Sequence, residues 1–266
     1  KAICPRCGNV MDGDEVKDVA KSRTGGLPSQ MYAVVSKVPV KLTYQNGEEK
    51  VRFMWRFRAP TKEDLNAVQR AEEELNRLLP AWEAKGLVPD EGIPEGDKTK
   101  EPRNIGITRW RDLFLPRQLL TIMVILEEIK KAQARAYVEL PEDEAQAVSV
   151  YMAFILSKVV NYNSVNTFWH YGRQTVAQTF SRHDFAFRPA FCEFEGARET
   201  VMWGADQVMD AYDQIARLIH GAPLDERECP DNEEIDEENL DGEDDEVAEQ
   251  EAEIVENSED DGCAVA

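Results

Sequence analysis

TRWRDLFLPRQLLTIMVIL (residues 108–126) decides the reading of the fold. Pro116 brings the fixed φ and missing N–H that suit a first helical turn. After it, Leu119, Leu120, Ile122, Met123, Val124, Ile125 and Leu126 are apolar nearly all round. This predicts a helix from Pro116 to about Ala136 that is buried on most sides. Further helices are signalled on both sides of it. Upstream, Thr61 stands three residues before Asp64 in a variant capping box. Leu65, Val68, Leu75, Leu79 and Trp82 then recur at helical spacing, with Glu72 as the polar interruption. Downstream, Pro141 followed by Glu142, Asp143 and Glu144 opens a second helix, its acids placed where the helix dipole favours them. That helix runs through Val148, Tyr151, Met152, Phe154, Ile155 and Val159 to a polar stop at Asn161-Tyr162-Asn163-Ser164. A last helix, from about Glu199 to His220, sets Val201, Ala205, Val208, Tyr212, Ile215 and Ile219 on one stripe.

The N-terminal side reads as strands. Met31–Val38 and Val40–Tyr44 are strand signals, and Asn46-Gly47 marks a hairpin before Val51–Phe57. Val51, Phe53, Trp55 and Phe57 share one face of that second strand. Asp12-Gly13 reads as a turn, and residues 86–108, rich in Gly, Pro and charge, as a connecting loop. The expected class is α+β, in four regions. Residues 1–58 form a small cysteine-knuckle and β-hairpin part, and 59–107 a helix and loop. Residues 108–223 are helical, and 224–266 an acidic disordered tail or linker.

Charge is distributed unevenly. The chain of 266 residues has 52 acidic and 31 basic residues, a net charge of −21. Residues 224–266 hold 21 of those acids and one base, Arg227, so the rest is almost neutral. A neutral body argues against strong autonomous nucleic-acid binding, which needs a basic face. The tail is too poor in apolar residues to fold alone. No apolar run reaches the length of a membrane span and no signal-peptide pattern opens the chain, so a cytoplasmic location without a membrane partner is expected.

Three groups of residues could carry chemistry. Cys4-Pro5-Arg6-Cys7-Gly8 turns the backbone so that two thiolates converge on one metal, which points to half of a zinc site. No second CxxC or HxxxH follows, and a redox or merely exposed pair is the other reading. Arg109 and Arg111 flank Trp110, while Arg117 and Gln118 open the central helix. Such residues can fork onto phosphates and stack on bases. Equally, Trp110, Leu113 and Phe114 anchor a core and the arginines form ion pairs. Asn161, Asn163, Arg173 and Arg182 interleave with aromatics and His170 in residues 161–183, and either line a nucleic-acid surface or cap and pack a loop. No dinucleotide-type glycine loop, P-loop, GxSxG or HExxH occurs.

The order of motifs is more specific than any one of them. CPxCG is followed by RTGGLPSQMYAVV (23–35), a Pro-Asp-Glu-x-x-Pro loop (89–94), TRWRDLFLPRQL (108–119), VNYNS (160–164) and FSRHDF (180–185). This order resembles the large adenine-specific DNA methylases that contain a zinc ribbon and use S-adenosylmethionine. The resemblance covers about residues 1–222. Leu115 stands where the family usually has Thr, Asn161 where it has Asp, and Ser181-Arg182-His183-Asp184 replaces its usual FGRQ-type segment. The resemblance implies a middle portion of such an enzyme, inserted in an α/β methyltransferase core. The cofactor glycine motif and the catalytic DPPY motif are both absent from these 266 residues. The implied role is scaffold and DNA positioning, with DNA and the remaining methyltransferase segments or subunit as partners. Zinc would be held by Cys4 and Cys7, S-adenosylmethionine would bind the complete enzyme, and the chain alone would be inactive. Arg109, Arg111, Arg117, Gln118, Asn161, Asn163, Arg173 and Arg182 are the DNA- or cofactor-facing candidates. A non-enzymatic zinc-ribbon module that binds nucleic acid or a protein is the alternative.

Overall fold

A computed structural model describes residues 2–23, 26–43, 49–181, 185, 188–221, 253–254 and 262–265. The chain opens with β1 (Ala2–Ile3) and β2 (Val10–Met11), an antiparallel pair that carries the Cys4–Cys7 turn between its strands. Asp12 then caps a helix, α1 (Gly13–Lys21), where the sequence predicts a turn. Its carboxylate accepts the N–H groups of Asp14 and Glu15, and Glu15 Oε2 accepts the Asp12 N–H in return. The D-x-x-E capping signal stands in the sequence. The helix behind it sets Val16, Val19 and Ala20 on one face, of which only Ala20 is buried.

The hairpin forms from β3 (Ala33–Thr43) and β4 (Glu49–Arg58), paired antiparallel with Thr43 opposite Glu49. Pro39 therefore sits within one long strand, where the sequence suggests two. A two-residue Asn46-Gly47 turn would pair Gln45 with Glu48, one residue out of the observed register; residues 44–48 themselves lie outside the described set. Of the apolar face on β4, Trp55 is half-buried, while Val51, Phe53 and Phe57 are exposed. Trp55 and Phe57 both meet the ring of Trp169 edge-on, at 5.4 and 5.6 Å between centroids. Trp169 lies on β5 (Phe168–His170), which pairs with β6 (Thr175–Ala177). On its other edge, β3 pairs with β7 (Glu253–Ile254) and β8 (Gly262–Val265). The acid-rich composition gives no reason to expect strands there. β8 falls in Gly-Cys-Ala-Val, the one stretch of the tail's end without acids.

The helices follow the sequence closely. Thr61 and Asp64 complete the capping box of α2 (Lys62–Ala84), and Arg58 from the end of β4 grips the same Asp64 carboxylate at 2.6 and 3.1 Å. These hydrogen bonds hold the Asp64 carboxyl well below the usual carboxylate range, the Arg58 guanidinium contributing most. A five-residue helix, α3 (Lys100–Asn104), interrupts the expected loop. Gly106 just beyond it has φ +88, and a Cβ there would run into the Ala20 carbonyl of α1. Only glycine allows that approach.

α4 (Pro116–Glu139) packs against α2 through Leu75, Trp82, Leu119 and Met123, and Val88 of the loop after α2 joins the same cluster. Met123 is fully buried and Trp82 nearly so, and the Trp82 indole N–H donates to Glu127 at 3.4 Å. α5 (Glu142–Tyr162) lies against α4 and, on its other side, against α6 (Glu199–Ile219). Gly204 lets α6 close on the Lys158 side chain. The C-terminal half of the α6 stripe, Tyr212, Ile215 and Ile219, remains exposed. The chain is a mixed helix and sheet fold, with its largest apolar cluster between α2 and α4. Among the described residues no helix is long and apolar enough to cross a membrane.

Candidate functional site

The start of α4 is the most elaborate polar construction in the fold. Arg117 occupies the first turn, where its charge opposes the helix dipole. Glu193 supplies the compensating anion: Arg117 Nε donates to Oε1 at 2.5 Å, and Gln118 Nε2 donates to Oε2 at 2.7 Å. Gln118 Oε1 turns back to accept the Leu115 N–H at 2.9 Å. Glu193 and Gln118 are both buried, and the Arg117 side chain is 16% exposed. The sequence points to Arg117 and Gln118 but not to Glu193, which arrives from 75 residues away. Its only trace is an acid set between Cys192 and Phe194.

Next to this network the backbone of residues 163–167 is folded in and satisfied from within. Ser164 Oγ accepts the Asn166 N–H at 3.0 Å and meets Thr179 Oγ1 at 2.8 Å. The Thr167 hydroxyl donates to the carbonyls of Ser164 and Cys192, and the Val165 N–H donates to the Leu113 carbonyl. Two side-chain donors in this neighbourhood have no acceptor. Arg117 Nη2 and Asn166 Nδ2 are sealed from solvent and make no hydrogen bond among the described residues.

Both residues line a cleft of about 1440 Å³. One wall is the stripe of α2 read from the sequence, Leu65, Val68, Glu72, Leu75 and Leu79. The floor is Phe114 to Arg117 with Leu119, and Val165 with Asn166. Gly26 to Tyr32 close one side, and Phe185 and Arg188 another. Parts of three motifs, with Val165 and Asn166 just beyond VNYNS, therefore meet around one space. Residues 89–94 tie to one of these motifs: Ile93 N–H donates to the Thr108 carbonyl, and Asp90 pairs with both Arg109 and Arg111.

The remaining candidates fall in several places. Arg111 lines the cleft but is held by Glu83 at 2.7 Å and Asp90 at 3.0 Å. Arg109 is tied to Asp90, while Asp112 accepts the N–H groups of Thr108 and Arg109 instead of pairing with Arg117. Asn161 accepts the Phe180 N–H at 3.0 Å and so ties the end of α5 to the following loop, while buried Asn163 donates to the Val159 carbonyl at 3.1 Å and caps the last turn of α5 itself. Arg173 is exposed, and its N–H donates to His170 Nδ1 at 3.1 Å, so that imidazole caps a 3₁₀ turn. Arg182 lies outside the described residues.

The Cys4–Cys7 turn is closed by two backbone bonds, Gly8 N–H to the Cys4 carbonyl and Cys4 N–H to the Asn9 carbonyl, both 2.9 Å. Gly8 has φ +74, as such a knuckle requires. Both thiols are exposed, and N–H groups of Cys7 and Arg6 directed at Cys4 sulfur pull its thiol below the ordinary value. That donor set fits two corners of a tetrahedral zinc site. Among the described residues no group of three or more potential ligands gathers. No segment of the chain offers the glycine loop that an adenosyl cofactor needs.

No described protein family, curated protein or solved structure matches the chain.

Proposed function

We propose that this chain is the central, scaffold-forming part of a DNA adenine N6-methyltransferase. In this reading the S-adenosylmethionine and adenine-binding loops lie on other polypeptide. The observation that carries the reading is the convergence of the resembling motifs. Residues from RTGGLPSQMY, TRWRDLFLPRQL, the segment after VNYNS, and FSRHDF line the same cleft. Motifs that acted independently would have no reason to share a wall.

The scaffold role follows from what the arginines do. Arg109, Arg111 and Arg117 are engaged by Asp90, Glu83 and Glu193, so their first task is to hold the loop and helix start in place. DNA positioning then depends on the assembled enzyme, in line with the near-neutral body of the chain. Two thiols from Cys4 and Cys7 await the other half of a ribbon, which fits a part completed by further polypeptide.

The test is transfer of labelled methyl groups from S-adenosylmethionine to DNA. The isolated chain should give none. The chain together with the polypeptide encoded on either side should label adenine N6. Labelling by the isolated chain would overturn the scaffold role. A combined preparation that binds zinc yet never methylates would leave the non-enzymatic zinc-ribbon module standing instead.

A further inference from the structure

The β3–β4 hairpin carries more than its own packing uses. The body of the chain is neutral on average, but residues 33–58 hold six bases, Lys37, Lys41, Lys50, Arg52, Arg56 and Arg58, against two acids, Glu48 and Glu49. Along β4 the side chains alternate. Val51, Phe53, Trp55 and Phe57 stand on one face, and Lys50, Arg52, Met54, Arg56 and Arg58 on the other. The register sets Lys37 of β3 opposite Trp55, on the aromatic face. Its ammonium lies 5.7 Å from the centre of the Phe53 ring and 5.9 Å from that of Trp55. Phe53 is 63% exposed and Phe57 56%, and Lys37, Arg52 and Arg56 are exposed with them. Among the described residues β4 pairs only with β3, and the tail strands β7 and β8 lie on the far edge of β3. The outer edge of β4 is open.

The residue types narrow what this edge can meet. Cations on an edge strand keep sheets from joining, yet that task needs no rings between them. Clustered apolar groups left in water mark a contact surface. An apolar protein face would suit Phe53 and Phe57 but would strip water from the flanking cations without compensation. A plain polyanion would suit the cations and leave the rings without a partner. Single-stranded nucleic acid answers both, because each base offers a π-face for stacking and the phosphates run beside the bases on a flexible backbone. A duplex keeps those faces inside its own stack.

We propose that the outer edge of this hairpin binds single-stranded DNA, its bases stacked on Phe53 and Phe57 and its phosphates met by Lys37, Arg52 and Arg56. Lys37 stands on the aromatic face. Arg52 and Arg56 come from the reverse face of the same edge strand, and no described strand lies beyond β4 to keep them from the phosphates. The choice of DNA rests on the proposed function, whereas the stacking surface rests on the hairpin alone. A local patch on a near-neutral body binds weakly and with strong salt dependence, so positioning in the assembled enzyme still needs its other parts.

Fluorescence anisotropy of the purified full chain at low salt tests it with labelled strands of about twelve nucleotides, a length such surfaces accommodate. Oligothymidylate should bind about tenfold or more tightly than an abasic strand of the same length, because stacking adds to the phosphate contacts. Phe53→Ala should weaken oligothymidylate by about tenfold and leave the abasic strand unchanged. That ring is exposed, so the melting temperature should hold. Arg52→Gln with Arg56→Gln should weaken both strands and flatten the slope of log K against log salt by about 1.4, the share of two phosphates. Equal binding of the two strands overturns the proposal, as does a Phe53→Ala protein that binds oligothymidylate like wild type. Polyglutamate that binds as tightly as oligothymidylate also overturns it, and marks the hairpin as a docking edge for an acidic protein. Oligouridylate that binds more tightly than oligothymidylate overturns the choice of DNA and assigns the edge to RNA. None of these readings involves methyl transfer: an assembled enzyme that labels adenine while Phe53→Ala binds like wild type sinks the hairpin surface alone.

Discussion

Replacing Glu193 by glutamine removes one negative charge from the floor of the cleft and changes the side-chain shape very little. In the wild type that carboxylate takes Arg117 Nε at 2.5 Å and Gln118 Nε2 at 2.7 Å, and Glu193 itself is 7% exposed. The substitution leaves the Arg117 guanidinium mostly buried at a helix start, uncompensated. Removing one partner of a buried pair costs about 3–5 kcal/mol. The new amide keeps one acceptor, and the Arg117 side chain is 16% exposed, so the lower end applies. The opposing helix dipole, now unbalanced, adds about 0.3–1 kcal/mol. The expected loss is about 3 kcal/mol, or a drop in melting temperature of roughly 6–12 °C for a domain of this size. Thermal and urea unfolding, followed by circular dichroism, would measure it. The double variant Arg117→Met with Glu193→Leu should recover only part of the loss, because an apolar pair of similar volume avoids burying either charge but leaves the buried Gln118 amide without its acceptor. A loss below about 1 kcal/mol, or an equal loss when Arg117 is already replaced by methionine, would refute the claim that this pair holds the helix start.

The remaining predictions concern the supports of the same fold. Gly106→Ala should destabilise by at least about 2 kcal/mol, combining the left-handed backbone penalty with a clash against the Ala20 carbonyl; a melt unchanged from wild type would show that α1 can move aside. Asp64, whose carboxyl is held low by Arg58 and the Thr61 cap, contributes stability that is present above the unfolded carboxyl value near pH 4 and is lost as acid titrates the folded group. Between pH 7 and pH 3 the melting temperature should therefore fall further for wild type than for Asp64→Asn, and parallel curves would count against this. Thr61→Ala, which removes only the hydroxyl side of the box, should cost about 1 kcal/mol in urea unfolding. Cys4 should react with iodoacetamide well before buried Cys192, as read by peptide mass spectrometry. Zinc binding by the isolated chain should be weak and should vanish in Cys4→Ser with Cys7→Ser; a tight one-to-one site in that double variant would place the ligands elsewhere.

Much of the architecture is legible without any coordinates. α2, α4, α5 and α6 begin within a residue or so of where Thr61, Pro116, Pro141 and Glu199 place them, because N-terminal signals act through the backbone of their own first turn. The hairpin is equally clear, since apolar alternation is a local pattern. Its register is not, because alternation within each strand does not say which residue of β3 stands opposite which of β4, and the connecting turn sets that pairing. α1 stays hidden because its apolar stripe, Val16, Val19 and Ala20, is little more than one turn long. The apolar run of α4 announces burial, but nothing in it names α2 and α5 as the partners.

The site divides along the same line. Sequence alone determined which residues were unusual: the Cys4–Cys7 knuckle, the arginines around Trp110, the Arg117-Gln118 pair, and the order of the motifs. Only the tertiary structure decided what those residues face. Glu193 reaches Arg117 across 76 positions, Asp90 reaches Arg109 across 19, and Asn166 comes to line the same cleft as Arg117 from another loop. Periodicity and capping are properties of neighbours in the chain, so they can be read one segment at a time. Charge compensation and an unsatisfied donor are properties of neighbours in space, and those exist only once the chain has closed on itself.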